Sequence, residues 1–74
     1  MYRILRGEMA KYDLTIEKTA AIIGVSATTM SKKLNGRVEF LLSEAKKLLD
    51  YFNERGNDYT IEYLFFTDVS TKVV

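Results

Sequence analysis

The feature that most restricts the fold is a gap of three residues, Gly24-Val25-Ser26, between two short runs that both favour helix. The run before it, residues 16–23, follows Thr15, whose hydroxyl suits an N-cap, and stops at a glycine able to take the left-handed conformation common at helix ends. The run after it opens at Ser26, a second N-cap residue, carries Met30 and Leu34 four positions apart, and stops at Asn35-Gly36. So short a connector holds the second helix at a steep angle across the first. The residue types suit such a corner. Ala20 is small where the helices approach, Gly24 permits positive φ, Val25 plugs the angle, Ser26 satisfies orphan amides, and Met30 and Leu34 pin the second helix to a core.

Helical spacing continues on both sides of the corner. Residues 2–11 place Leu5 and Met9 on one face, with Arg3, Arg6, Glu8 and Lys11 mostly elsewhere; Gly7 weakens this helix without forbidding it. After a connector at residues 37–40, Ala45, Leu48, Leu49 and Phe52 form an apolar stripe, with Glu44, Lys46, Lys47, Asp50 and Glu54 expected to face away. Gly56-Asn57-Asp58 ends that helix. Thr60 can cap a last turn or two in which Ile61, Leu64 and Phe65 point inward, leaving Phe66 outside the stripe as a candidate dimer contact. Tyr51, Tyr59 and Tyr63 read as amphipathic rim residues. Residues 67–74 are polar and β-branched, which suits a tail or a short strand. The expectation is an all-α domain of five short helices over residues 1–66.

Composition removes several functions. A chain of 74 residues supports one core. With no cysteine and no histidine there is no disulfide framework, thiolate site, cysteine nucleophile or imidazole catalyst, and zinc loses its usual ligands. Carboxylate pairs such as Glu39 and Glu44 lack a nucleophile or metal cluster beside them, so no enzyme, metal or cofactor is expected. No apolar run has the length of a signal peptide or a membrane span, and a cytoplasmic protein is the default expectation. The net charge of +1 is too small for overall basicity to imply a nucleic-acid partner.

The placement of charge carries the argument instead. Between Glu17 and Glu39 there is no acidic residue, whereas Lys18, Lys32, Lys33 and Arg37 supply four positive charges around the corner. With Met30 and Leu34 inward, the opposite face of the third helix presents Ala27, Thr28, Ser31, Lys32 and Asn35, small or polar groups that allow close approach to a base-pair edge. A solvated surface is the ordinary explanation of a lysine pair such as Lys32 and Lys33; the acid-free stretch is what sets this one apart.

On these residues the segment 16–36 (IEKTAAIIGVSATTMSKKLNG) resembles the Cro/phage-repressor helix-turn-helix family, also called the XRE family. Ala20, Gly24, Val25, Ser26, the Thr29-Met30-Ser31 pattern and the Asn35-Gly36 stop carry the likeness. The stretch TIEYLFF at residues 60–66 is similar to the family's closing helix, so the resemblance extends over about residues 3–66. It implies a lambda-repressor-like five-helix domain, a third helix docked in the major groove of double-stranded operator DNA, and a homodimer. By position, Ala27, Thr28 and Lys32 match base-contacting sites, with Ser31 on the same face. Asn35 and Arg37 match phosphate-contacting sites, and Lys18, Ser26 and Lys33 are placed with them against the backbone. The implied function is that of a phage- or prophage-type transcriptional regulator. Two positions depart from the pattern: Ile16 stands where many members carry a glutamine that braces the backbone contact, and Thr19 replaces a core leucine. The alternative is a protein-interaction module of the same fold, an antitoxin or a binder of another regulator, using Ile16, Ile22 and Phe66. An antitoxin that also binds its operator combines the two.

Overall fold

In the computed structural model, which describes residues 1–66, each chain reversal is closed by a local device written into the sequence. Helix α1 spans Arg3–Lys11 and buries Leu5 and Met9. It ends where Asp13 takes a left-handed conformation, φ 56°, so that the Leu14 amide donates back to the Met9 carbonyl at 2.8 Å. Aspartate is one of the few residues other than glycine that tolerate this region.

Helix α2 (Ile16–Ile23) opens on Thr15, whose hydroxyl accepts from the Lys18 amide at 3.1 Å. It closes at Gly24, φ 81°, with the Gly24 and Val25 amides both donating to the Ala20 carbonyl at 2.8 and 3.0 Å. Helix α3 (Ala27–Leu34) follows at once, capped by Ser26, whose Oγ accepts from the Thr29 amide at 3.1 Å. The corner anticipated from Gly24, Val25 and Ser26 is therefore present with both caps formed. Ala20 is buried where α2 meets α3, Val25 packs against the core, and Met30 and Leu34 are almost wholly buried.

Helix α4 (Leu42–Asn53) turns Ala45, Leu48 and Phe52 inward and leaves Leu49 half-buried. A side-chain clasp follows it: Asn53 donates to the Tyr59 carbonyl at 3.1 Å and accepts from the Tyr59 amide at 2.8 Å. The last element, α5 (Glu62–Phe66), is a wide π-type turn preceded by Thr60, whose hydroxyl accepts from the Tyr63 amide at 3.1 Å. The widened turn buries the adjacent Leu64 and Phe65 together while Phe66 stays exposed.

These five helical elements make an all-α domain, with no strand among the described residues. The proposed tail or strand at residues 67–74 lies outside them. Leu5, Met9, Leu14, Ile23, Met30, Leu34, Leu48, Phe52, Leu64 and Phe65 share one core. Thr19 is also fully buried, and its hydroxyl donates to the Thr15 carbonyl at 2.9 Å, so helix backbone satisfies this buried polar atom. Tyr59 bridges the ends of the domain: its phenol donates to Glu8 Oε1 at 2.7 Å, and that bond, with burial and the Glu8 charge, pushes its pKa up to about 12. No helix among the described residues is long and apolar enough to cross a membrane.

Candidate nucleic-acid interface

The outward face of α3 and the start of α2 enclose an open trough lined by Ile16, Glu17, Ala27, Thr28, Ser31, Lys32, Asn35 and Arg37. Every residue that the sequence places on the outward face of α3 is therefore in one concavity. Thr28, Lys32, Asn35 and Arg37 are exposed, whereas Ala27 and Ser31 are half-buried along the floor. Two devices hold α3 at this angle. Ser26 fixes its start, and its hydroxyl also donates to Thr29 Oγ1 at 3.0 Å, so this hydroxyl is engaged in the cap. At its end Gly36, φ 78°, lets the Arg37 amide donate back to the Lys32 carbonyl at 2.9 Å, which returns Arg37 to the trough wall. Lys18 is exposed on α2 and is not part of the lining.

Lys33 requires a correction. Expected among the backbone-contacting cations, it instead has a side chain only 5% exposed, with its Nζ 2.8 Å from Glu44 Oε1. The same ammonium donates to the Glu39 carbonyl at 2.8 Å and lies 5.7 Å from the centre of the Phe40 ring. It cannot reach a ligand in the trough. Its spacing explains why: three residues after Met30 and one before Leu34, Lys33 falls on the edge of the inward stripe.

Glu44 is corrected with it, because this residue faces the core rather than away from it. Its Oε1 also accepts from the Leu41 amide at 2.9 Å, closing the start of α4. Burial pushes the Glu44 carboxyl up, but the Lys33 hydrogen bond, the Leu41 amide and the Lys33 and Lys47 charges outweigh it and hold the group below the usual glutamate value. The pair ties the end of α3 to the start of α4. Its energetic signature is one-sided: breaking such a buried pair is costly, whereas replacing both members with apolar groups is often neutral.

Two features of the trough were not singled out from sequence. Glu17 places a carboxylate on the wall beside Ile16, so the acid-free stretch does not mean an acid-free surface. Arg6, from α1, adjoins the far end: its Nη2 donates to the Leu34 carbonyl and to Asn35 Oδ1, both at 3.0 Å.

A second concavity, of about 370 Å³, differs in character. It is lined by Tyr2, Phe40, Leu42, Ala45, Ile61, Phe65 and Phe66, with Glu39 as the charged member. Tyr2, Phe40 and Phe65 meet edge-on in its wall, with ring centres 5.0 to 6.0 Å apart. Leu41, Leu42 and Phe66 are 61%, 64% and 53% exposed, a concentration of apolar surface at the start of α4 and the end of α5. Phe66 was anticipated here; Leu41 and Leu42 were not.

Comparison of the chain with protein-family models, with curated proteins and with solved structures gives no match.

Proposed function

We propose that this domain binds double-stranded DNA in a sequence-dependent way, with α3 as the helix that enters the major groove. The observation that carries the reading is the trough: the outward side of α3 is built of Ala27, Thr28, Ser31 and Lys32, small or donor side chains, with Asn35 and Arg37 at its end. Lys32 is suited to donate to guanine O6 and N7, and Thr28 to offer a methyl or hydroxyl to a base edge. Asn35 and Arg37, with Lys18 and the Ser26 cap alongside, are assigned to the phosphate backbone, whereas Lys33, held by Glu44 and the Glu39 carbonyl, takes no part. The likeness of residues 16–36 to the Cro/phage-repressor family points the same way and suggests a cytoplasmic regulator of transcription. One such helix covers a half-site, so the reading includes a homodimer, with Phe66 and its exposed neighbour Leu42 as contacts.

The test is a titration of the chain against random duplex, first at low salt and then with salt rising. Binding that weakens linearly in log K against log salt supports the reading. A pool of random duplexes then yields the preferred sequence. The second reading, a protein-interaction module, is favoured by one specific observation, the exposed Leu41, Leu42 and Phe66 beside an apolar groove, and by Ile16 in the trough. Absence of duplex binding at low salt selects it.

A further inference from the structure

Arg6 and Asn35 are 29 positions apart, and their contact fixes which half of an amide faces the trough. The guanidinium donates from Nη2 to Asn35 Oδ1 and to the Leu34 carbonyl at 3.0 Å each, while its Nε donates to the Met1 carbonyl at 3.1 Å. A guanidinium carries donors only, so the amide atom turned toward it has to be the oxygen. Asn35 Nδ2 is left without a partner among the described residues, on a side chain that lines the trough. The Leu34 carbonyl is one of those a helix leaves unmatched at its C-terminus, where a cation is also favoured by the helix dipole.

We propose that Arg6 is a positioning residue that presents the Asn35 amide nitrogen, and not its oxygen, to a phosphate of bound nucleic acid. The inference rests on the DNA-binding reading above and adds a residue that lies outside the helix-turn-helix segment. The chemistry is a matter of sign. A phosphodiester oxygen only accepts hydrogen bonds, so an asparagine rotated the other way would present lone pairs to lone pairs. By occupying Oδ1, Arg6 makes Asn35 a committed donor before any ligand arrives. A direct phosphate contact by Arg6 is a different arrangement, and the two separate experimentally.

The experiment measures random-duplex affinity and its salt dependence for the wild type, Arg6→Ala, Arg6→Lys, Asn35→Ala and the Arg6→Ala/Asn35→Ala pair, with thermal melts of each. Loss of a hydrogen bond to a charged group predicts that Arg6→Ala and Asn35→Ala each weaken binding about tenfold. Because both remove the same contact, the double variant stays within about twofold of Asn35→Ala. The salt slope is unchanged in all of them, since a neutral amide makes the contact. Arg6→Lys keeps the charge but not the fork and is weakened nearly as much as Arg6→Ala. In the free protein, the Asn35 side-chain amide signals lose their restricted motion in Arg6→Ala. Losses that multiply in the double variant, with a slope smaller by about one, make Arg6 a phosphate ligand itself and overturn the proposal. A lowered melting temperature with unchanged affinity reduces Arg6 to a helix cap and overturns it too. Wild-type protein that fails to bind random duplex sinks the functional reading and this role with it, whereas wild-type binding that Arg6 variants leave untouched sinks the role alone.

Discussion

Lys32 and Lys33 are neighbours on α3 and end in opposite surroundings. Lys32 stands exposed in the trough, whereas Lys33 is sealed under Glu44 and the Glu39 carbonyl. The same residue type thus serves two purposes one position apart: one ammonium stays hydrated and available, and the other ties α3 to α4. A count of positive charge around the corner overstates what a ligand meets, because one of its four cations faces inward and Glu17 stands on the trough wall. The inner face of α3 is built into the core of the domain, and its outer face lines the trough to which recognition is assigned under the proposed function.

Substitutions that break one side of this contrast should leave the other intact. The largest effect is expected from Lys33→Ala, which strands the Glu44 carboxylate and should cost about 3 to 5 kcal/mol in chemical denaturation. Lys33→Met with Glu44→Leu should recover most of that loss. The same pair gives the pH test. Glu44 has a depressed folded pKa, so its contribution is complete above the ordinary glutamate value of 4.5 and is lost as pH falls through the lower folded value. The double variant should lose that part of the acid sensitivity.

Lys32→Ala should leave the melting temperature unchanged and weaken binding to the selected duplex by about 1 to 3 kcal/mol, relaxing preference at one base position. Equal weakening on every duplex would reassign Lys32 to the backbone. Gly24→Ala meets open space but a φ of 81°, so its cost should be confined to backbone strain, about 1 kcal/mol in a denaturant titration. The smallest effect on folding is expected from Phe66→Ser, within about 0.5 kcal/mol at an exposed site. That variant should nevertheless shift sedimentation toward monomer if Phe66 holds a second copy.

The corner could be read from sequence because everything that makes it is local. Thr15 and Ser26 bond to amides three residues on, and Gly24 closes its helix with bonds reaching back to Ala20. The stripe on α4 was legible for the same reason. The burial of Lys33 depends on how residues 37–40 carry Glu44 back over α3, and no spacing rule encodes that path. Its position beside Met30 and Leu34 is the one local sign, and a lysine at the edge of an apolar stripe is ordinarily solvated unless a distant carboxylate covers it. Arg6 lies beyond any local pattern, since its partner is on a helix reached only after two reversals of the chain. The Leu41-Leu42 pair was visible as an apolar dipeptide, but its exposure follows from α4 beginning there and turning Glu44 and Ala45 inward.

The bond between Tyr59 and Glu8 joins residues 51 positions apart, and the Tyr2 ring meets Phe65 in the same way. The first helix and the last turn therefore close one another's apolar sides. During synthesis α1 should stay only partly covered until residues 59–65 have left the ribosome. The domain should accordingly gain its protection in a single late step, and a nascent chain stalled before Tyr59 should remain open to protease at α1.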